Sequence, residues 1–293
     1  MVVFRTLWIV ISLTLLDPVL PAHADFAAGQ AAYDRGDFEA AHGEWLAAAE
    51  AGDQAAMFDL ALLYYVGKGV EKDIHKGREW MWGTVRKDAD VELSRRVIKT
   101  LLKPEYEAVS PMMSLMHLQS MYRQDDPEAI FLMGLASEFG TEQKRVRVPE
   151  DIKIDFEFAH MAYLRAARMN NPLAKMSLAV NSFYGIHVVK NQALAIKYAR
   201  EAAMSMNREG QELLGNLLIE AQSPHGNNVE GLMWLYIAAR LLEPEEKGAP
   251  DAVSAREQAI FSVSRQREGI MRQDHRKAKN LADAWLVENT RKP

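Results

Sequence analysis

Three alanine pairs constrain this chain more than any other feature. Ala166-Ala167, Ala202-Ala203 and Ala238-Ala239 begin 36 residues apart, twice over. Each closes a stretch with apolar residues at helical spacing: Phe158 to Ala167, Lys197 to Ala203 and Trp234 to Ala239. A recurrence of that length marks an array of helix pairs, each burying its apolar face only against its neighbours. An ordinary helical bundle needs no fixed period. Alanine at such sites lets two helices approach closely, where large side chains would hold them apart.

The clearest unit runs from Ala55 to Trp80. Its first part, Ala55 to Tyr65, alternates small and large apolar residues. Gly67 and Gly69 end that helix, since glycine takes the left-handed conformation without penalty. Asp73 is placed to cap the next helix by accepting from backbone N–H groups two or three residues on, and Trp80 fills the groove against the first helix. Tyr33 to Phe38 is a shortened turn, followed by Trp45 to Gly52. Further first helices are expected over Ala129–Gly140, Ala174–Gly185 and Glu209–Ala221. Residues 88–125 give a degenerate pair, Val91–Leu102 and Pro111–Tyr122, with Pro104 and Pro111 bounding the connection. The tail predicts a long helix from Ala252 to Arg272 and a second from His275 to Glu288. The stretch Glu243 to Pro250, rich in charge, Gly and Pro, is the expected hinge. The fold predicted is all-α: a right-handed α/α superhelical solenoid of about seven antiparallel helix pairs with a long concave face.

The N-terminus has a different character. Arg5 precedes the mostly apolar run Leu7 to Leu16, and Ala22-His23-Ala24 follows. Such a run is about half the length that crosses a bilayer. With small residues at 22 and 24, it predicts a signal peptide over 1–24, cleaved after Ala24. The mature chain is then a repeat solenoid over 25–242 and capping helices over 243–293, located in the periplasm of a Gram-negative cell. No later stretch of eighteen apolar residues exists, so no integral membrane segment is expected in the mature chain. Lys and Arg total 35 against 40 Asp and Glu, a net charge of -5. That balance lacks the basic excess of a duplex-binding protein, and no nucleic-acid partner is expected. The chain has no cysteine. Disulfides, thiol catalysis and thiolate zinc sites are thereby excluded.

The unit at 55–80 resembles the Sel1-like repeat family, relatives of tetratricopeptide repeats. Gly67-Lys68-Gly69-Val70, Asp73, Lys76 and Trp80 match its pattern. Gly77 stands where the family has Ala, and the Leu-Gly pair becomes Leu60-Ala61 here and Met133-Gly134 in the next clear unit. The resemblance covers 27–87 and 126–242 well and is weak over 88–125 and 243–293. It implies a protein-interaction role, as scaffold or regulator of an envelope process such as exopolysaccharide regulation or export. A periplasmic or membrane protein is then the expected partner. Binding of peptidoglycan or another polysaccharide in the concave groove is the alternative. One branch of the family binds penicillin-like compounds, but through cysteine-stapled repeats that this chain lacks.

The joint at Thr141 to Asp151 is longer than its counterpart at Gly67 to Glu71, and Lys144, Arg145 and Arg147 make it basic. Insertions in solenoids map to one face and often serve binding. Arg95, Arg96, Lys99 and Lys103 give the preceding helix a basic side. The partner-binding candidates are therefore Lys144, Arg145 and Arg147 with the aromatics Tyr33, Tyr65, Trp82, Tyr163 and Tyr184, since Tyr and Trp give large contact area at low entropy cost. Tyr64 and Trp80 are assigned to the core. Met112, Met113, Met116, His117 and Met121 share one helix, and thioethers with imidazole suit Cu(I). No matching array recurs, and Met also fills irregular gaps between helices, so packing is the expected role and no cofactor or metal is assigned. No H-E-x-x-H, P-loop or Gly-x-Ser-x-Gly motif occurs, and no catalytic residue is assigned.

Overall fold

A computed structural model describes residues 26–85, 89–221, 225–241, 252–264 and 270–290. The expected signal peptide at 1–24 and the expected hinge at 243–250 lie outside the described residues. Within them the chain is all-α, with fourteen α-helices, two short 3-10 turns and no strand. They follow as α1 (Phe26–Asp34) and α2 (Phe38–Glu50), α3 (Gln54–Val66) and α4 (Ile74–Gly83), α5 (Val91–Thr100) and α6 (Pro111–Arg123), α7 (Pro127–Phe139) and α8 (Phe156–Arg168), α9 (Pro172–Tyr184) and α10 (Gln192–Ala203), α11 (Arg208–Glu220) and α12 (Asn228–Arg240), then α13 (Ala252–Ser264) and α14 (Arg272–Asn289). From α1 to α12 each helix packs on the next within its unit, which is solenoid packing. Two compact units are distinguished. The first holds α1 to α4 and the short turn Pro104–Tyr106; the second holds α5 to α14.

The period is written into the helix starts. Asp155, Asn191 and Asn227 cap α8, α10 and α12 with nearly one backbone geometry, φ -149, -147 and -150°. Each side chain accepts the N–H three residues on, at 3.0, 2.9 and 3.0 Å. Asp73 does the same work for α4, accepting from His75 and Lys76. Each such cap is worth about 1 kcal/mol. The N–H of the same residue donates back to the preceding helix: Asp73 to Tyr64, Asp155 to Ser137, Asn191 to Ser182 and Asn227 to Leu218. One residue thus starts the second helix and ties it to the first.

The contact between paired helices depends on small residues. Five residues before their last, α3, α7, α9 and α11 carry Ala61, Gly134, Ala179 and Gly215, all buried. In the α11–α12 pair the approach leaves no room for a side chain at Gly215. A Cβ on Gly215 would stand 2.8 Å from the Gly231 carbonyl oxygen and 2.7 Å from Leu235. Ala166, Ala202 and Ala238, the leading members of the three Ala pairs, have no exposed surface. Gly67 and Gly185 end α3 and α9 at φ 74 and 77°, in the left-handed region that glycine enters freely.

The tail departs from its expected form. A single helix from Ala252 to Arg272 is not what forms: Met271 is extended and stands as the N-cap of α14. Its N–H donates to the Asp274 carboxylate at 2.8 Å, which starts a new helix three residues before His275. Both tail helices pack on α12, and α14 places Ala278 and Ala282 in its core. The last unit of a solenoid needs a polar outer face, and on α14 Arg276, Lys277 and Asp283 are exposed. Lys279 pairs with Glu257 at 2.6 Å, and the exposed Asp283 with Arg240 at 2.6 Å.

Candidate functional site

The joints between helices of a pair set the frame for the site. In α3–α4, α9–α10 and α11–α12 the cap residue lies nine positions after the carbonyl its N–H meets; in α7–α8 the interval is eighteen, Ser137 to Asp155. The additional residues are held in place. Val146 and Val148 are buried in the core that contains Phe131 and Tyr163. The Gln143 side chain folds over its own loop, accepting from the Arg145 and Val146 N–H groups at 2.9 and 3.0 Å and donating to the Val146 carbonyl. Arg147 donates to the Leu101 carbonyl at 3.3 Å, fastening the loop to the end of α5.

This anchoring leaves Lys144 and Arg145 at the edge of a groove of about 360 Å³ between the loop, α5 and α7. Its floor is apolar: Ile98, Leu102, Met121, Phe131, Leu132 and Leu173. Its cations are Arg95, Lys99, Lys144 and Arg145, with Glu128 beside them. Arg95 is fully engaged, by Asp126 at 2.6 Å, Glu128 at 2.8 Å and Glu92. Burial works against its charge, yet those three carboxylates together hold the guanidinium above its usual range. Among the described residues no carboxylate pairs with Lys99, Lys144 or Arg145. The groove therefore offers three available positive charges around an apolar floor.

The eight residues singled out from sequence fall into different settings. Lys144 and Arg145 meet at the groove, and Arg147 is half-buried beside it. Tyr184 is exposed, its hydroxyl donating to Glu220 at 3.1 Å. In the first unit, Trp82 is exposed at the end of α4. Tyr33 is half-buried, with its ring against Phe38 and Trp45 and its hydroxyl accepting from Lys68 at 3.2 Å. Tyr65 and Tyr163 require correction as surface residues. Tyr65 is 4% exposed and lies over Gly77, where the missing Cβ makes room for its ring. Burial pushes its phenol up, against the pull of Arg78. Tyr163 has no exposed surface. Its hydroxyl donates to the buried Glu138 at 2.5 Å, and Asn181 donates to the other Glu138 oxygen at 3.2 Å. Burial first, and Glu138 next, push that phenol far above its ordinary value. Among the described Trp and Tyr residues only Trp82 and Tyr184 are exposed, and they belong to different units. Tyr64 and Trp80, assigned to the core, are partly buried and pack against the core of the first unit.

Sequence reasoning found the basic residues on both walls of the groove and missed its floor. The signal was available: Ile98 and Leu102 lie four apart on α5's line, on the side carrying Arg95 and Lys99 one turn away. In the methionine helix, Met113 and His117 face the core and Met112 faces solvent. The His117 ring sits 3.1 Å from the Ser94 hydroxyl through Nδ1. Among the described residues no three His, Asp or Glu side chains come together as a metal site.

A second cavity, about 610 Å³, lies between α12, α13 and α14. Tyr236, Glu257, His275 and Lys279 in its lining are all engaged. His275 is held between the Tyr236 hydroxyl at 2.8 Å and the Ser264 hydroxyl at 3.2 Å, and Glu257 pairs with Arg240 and Lys279. Ser264 donates to the Ile260 carbonyl at 2.5 Å, so its proton is directed into the helix and not toward the imidazole. The cluster braces the tail and does not activate a nucleophile.

Comparison with known proteins agrees with this architecture. The family model described as the Sel1 repeat matches residues 54–81 and 172–205. No curated protein matches the chain. Among solved structures, a Sel1 repeat protein from Oxalobacter formigenes aligns over 89% of this chain and 100% of its own, with TM-score 0.53 and 18% identity. A protective antigen from uropathogenic Escherichia coli strains, displaying an SLR fold, aligns over 89% of this chain and 61% of its own, at TM-score 0.38 and 15% identity. An immunity protein from Pseudomonas aeruginosa covers 90% and 84%, at TM-score 0.33 and 14% identity. The likeness to the Oxalobacter formigenes protein is one of fold: a Sel1-like, tetratricopeptide-like helical solenoid. A repeat of this kind is a protein-interaction module and not a catalytic one. No helix among the described residues is long and apolar enough to cross a membrane.

Proposed function

We propose that this chain is a protein-interaction scaffold or regulator of the cell envelope, exported to the periplasm by its N-terminal segment, and that it holds its partner in the groove beside the 141–151 loop. Exopolysaccharide regulation or export is the envelope process that the family resemblance suggests. One observation carries the docking site. Where the chain departs from its repeat, the inserted loop is fixed by core packing, and it sets Lys144 and Arg145 at the edge of an apolar floor. An interface is expected to combine an apolar centre with a polar rim, and preorganisation lowers the cost of binding. The polysaccharide alternative requires several exposed Trp or Tyr in a row; among the described residues only Trp82 and Tyr184 are exposed, and they belong to different units.

The test is site-specific photocrosslinking in the intact cell envelope. A benzophenone amino acid is placed at Leu102, on the groove floor, or at Asn216, an exposed site on α11. A discrete protein adduct from position 102, absent at 216 and lost with Lys144→Glu/Arg145→Glu, supports the reading. Adducts that are equal from both positions, or indifferent to the charge reversal, overturn it.

A further inference from the structure

Resting on that reading, we infer that the groove takes a short acidic segment of the partner protein, with one or two large apolar side chains seated on the floor and carboxylates on both sides of them. The chemistry follows from what the walls have left to offer. Arg95 is occupied by Glu92, Asp126 and Glu128, so it organises the wall and does not add free charge. Lys99 on α5 and Lys144 and Arg145 on the loop remain for an incoming anion. They flank the floor from two elements, so a ligand that meets both walls carries negative charge on either side of its apolar part. The backbone carrying Lys144 and Arg145 is clamped between the Gln143 side chain and the buried Val146. The cations are therefore tethered beside the floor before any partner arrives.

The size of the site favours a peptide over a lipid. Met121, Phe131 and Leu132 are 1%, 3% and 6% exposed, so the floor is shallow, and Leu102 at 38% is its most open member. A volume near 360 Å³ admits one or two side chains of Leu or Phe size. A long acyl chain would be left largely in water, at about 0.8 kcal/mol for each unburied methylene. A nucleic-acid strand is disfavoured because Phe131, the ring in the floor, is covered and cannot stack a base.

The experiment uses the full mature chain and fluorescence anisotropy with short synthetic peptides. One has a Leu-Phe centre flanked on both sides by Glu; a second replaces Glu by Gln; a third replaces Leu-Phe by Ser-Ser. Vesicles of anionic phosphatidylglycerol are the lipid arm. The Glu peptide is expected to bind about tenfold more tightly than the Gln peptide, the worth of two partly exposed ion pairs. It is expected to lose a similar factor with Lys144→Glu/Arg145→Glu and to weaken with salt. Lys144 and Arg145 are exposed loop residues, so that variant should fold, and circular dichroism checks it. Equal affinity for the Glu and Gln peptides, indifference to the Ser-Ser replacement, or preferential binding to vesicles overturns the inference. If no peptide binds while position 102 still crosslinks one protein in the envelope, the acidic-segment inference falls and the scaffold reading stands. Without either result, both fall.

Discussion

Acidifying the protein from about pH 7 to about pH 5 should cost about 2 kcal/mol through a single side chain, His117. The ring is 1% exposed within α6, with Nδ1 3.1 Å from the Ser94 hydroxyl. Burial pushes its pKa down to about 4. In the unfolded chain an imidazole titrates near 6.5. The folded value is the lower one, so as pH falls the unfolded chain takes up the proton first. The contribution is intact above about pH 6.5 and is lost between there and about pH 4. At about 1.4 kcal/mol for each pH unit, the roughly 1.5 units between 6.5 and 5 give the figure stated. The assay is urea unfolding followed by circular dichroism at the two pH values, for the native chain and for His117→Gln. His275 is buried too, with its pKa also lowered, and adds a slope of the same sign to both proteins. The difference between the two isolates His117. A ring titration by NMR gives the same answer without a substitution. If His117 titrates near 6.5 in the folded protein, or if both proteins lose the same stability, the burial argument is refuted.

Other outcomes follow from the packing. Gly215→Ala should destabilise by about 1–3 kcal/mol, because its Cβ meets a backbone oxygen that cannot move aside; Gly43→Ala, where nothing lies within 4 Å of the added carbon, is the control for the same melt. Asn191→Ala should cost about 1 kcal/mol through the lost cap of α10, and Asn191→Asp should restore most of it. Tyr163→Phe should cost about 1–3 kcal/mol, since it removes a donor from a buried carboxylate. Combining it with Glu138→Gln should recover part of that loss, read by the same denaturation curve.

The period was legible because it rests on residues whose chemistry is local. An alanine pair or a Gly-x-Gly turn declares itself within a few positions, and first helices expected from Ala129, Ala174 and Glu209 begin at Pro127, Pro172 and Arg208. The cap series Asp155, Asn191 and Asn227 repeats at the same 36-residue interval and gives the second helices their start more sharply than the alanines do. Facing was harder to read. Tyr163 and Tyr184 are both aromatic residues on repeat helices, yet one is fully buried and the other half exposed. What separates them is the neighbour: Tyr163 lies over Gly134, where a Cβ would come within 2.9 Å of its ring. Periodicity places a residue on a helix face; which face is covered depends on a helix elsewhere in the chain.

The site was half legible for a related reason. Charge is visible in a sequence wherever it stands, so Lys144, Arg145 and Lys99 drew attention. An apolar floor is not distinctive, since Phe131 and Leu132 look like any other core residues. The groove exists because an insertion was accommodated without loosening the fold. Val146 and Val148 extend the core under the loop, and Gln143 satisfies the backbone groups that leave the helix. Burying those two valines fixes the loop at roughly 1.5–3 kcal/mol each. A loop held so firmly presents its charges in one place, whereas a solvated loop of the same composition would spread them over many. Val146→Ser should leave the net charge unchanged and loosen the loop, so it should weaken acidic-peptide binding while the melting curve moves by only a few degrees. Unchanged affinity in that variant would mean that the charges act alone and that the fixed loop is incidental.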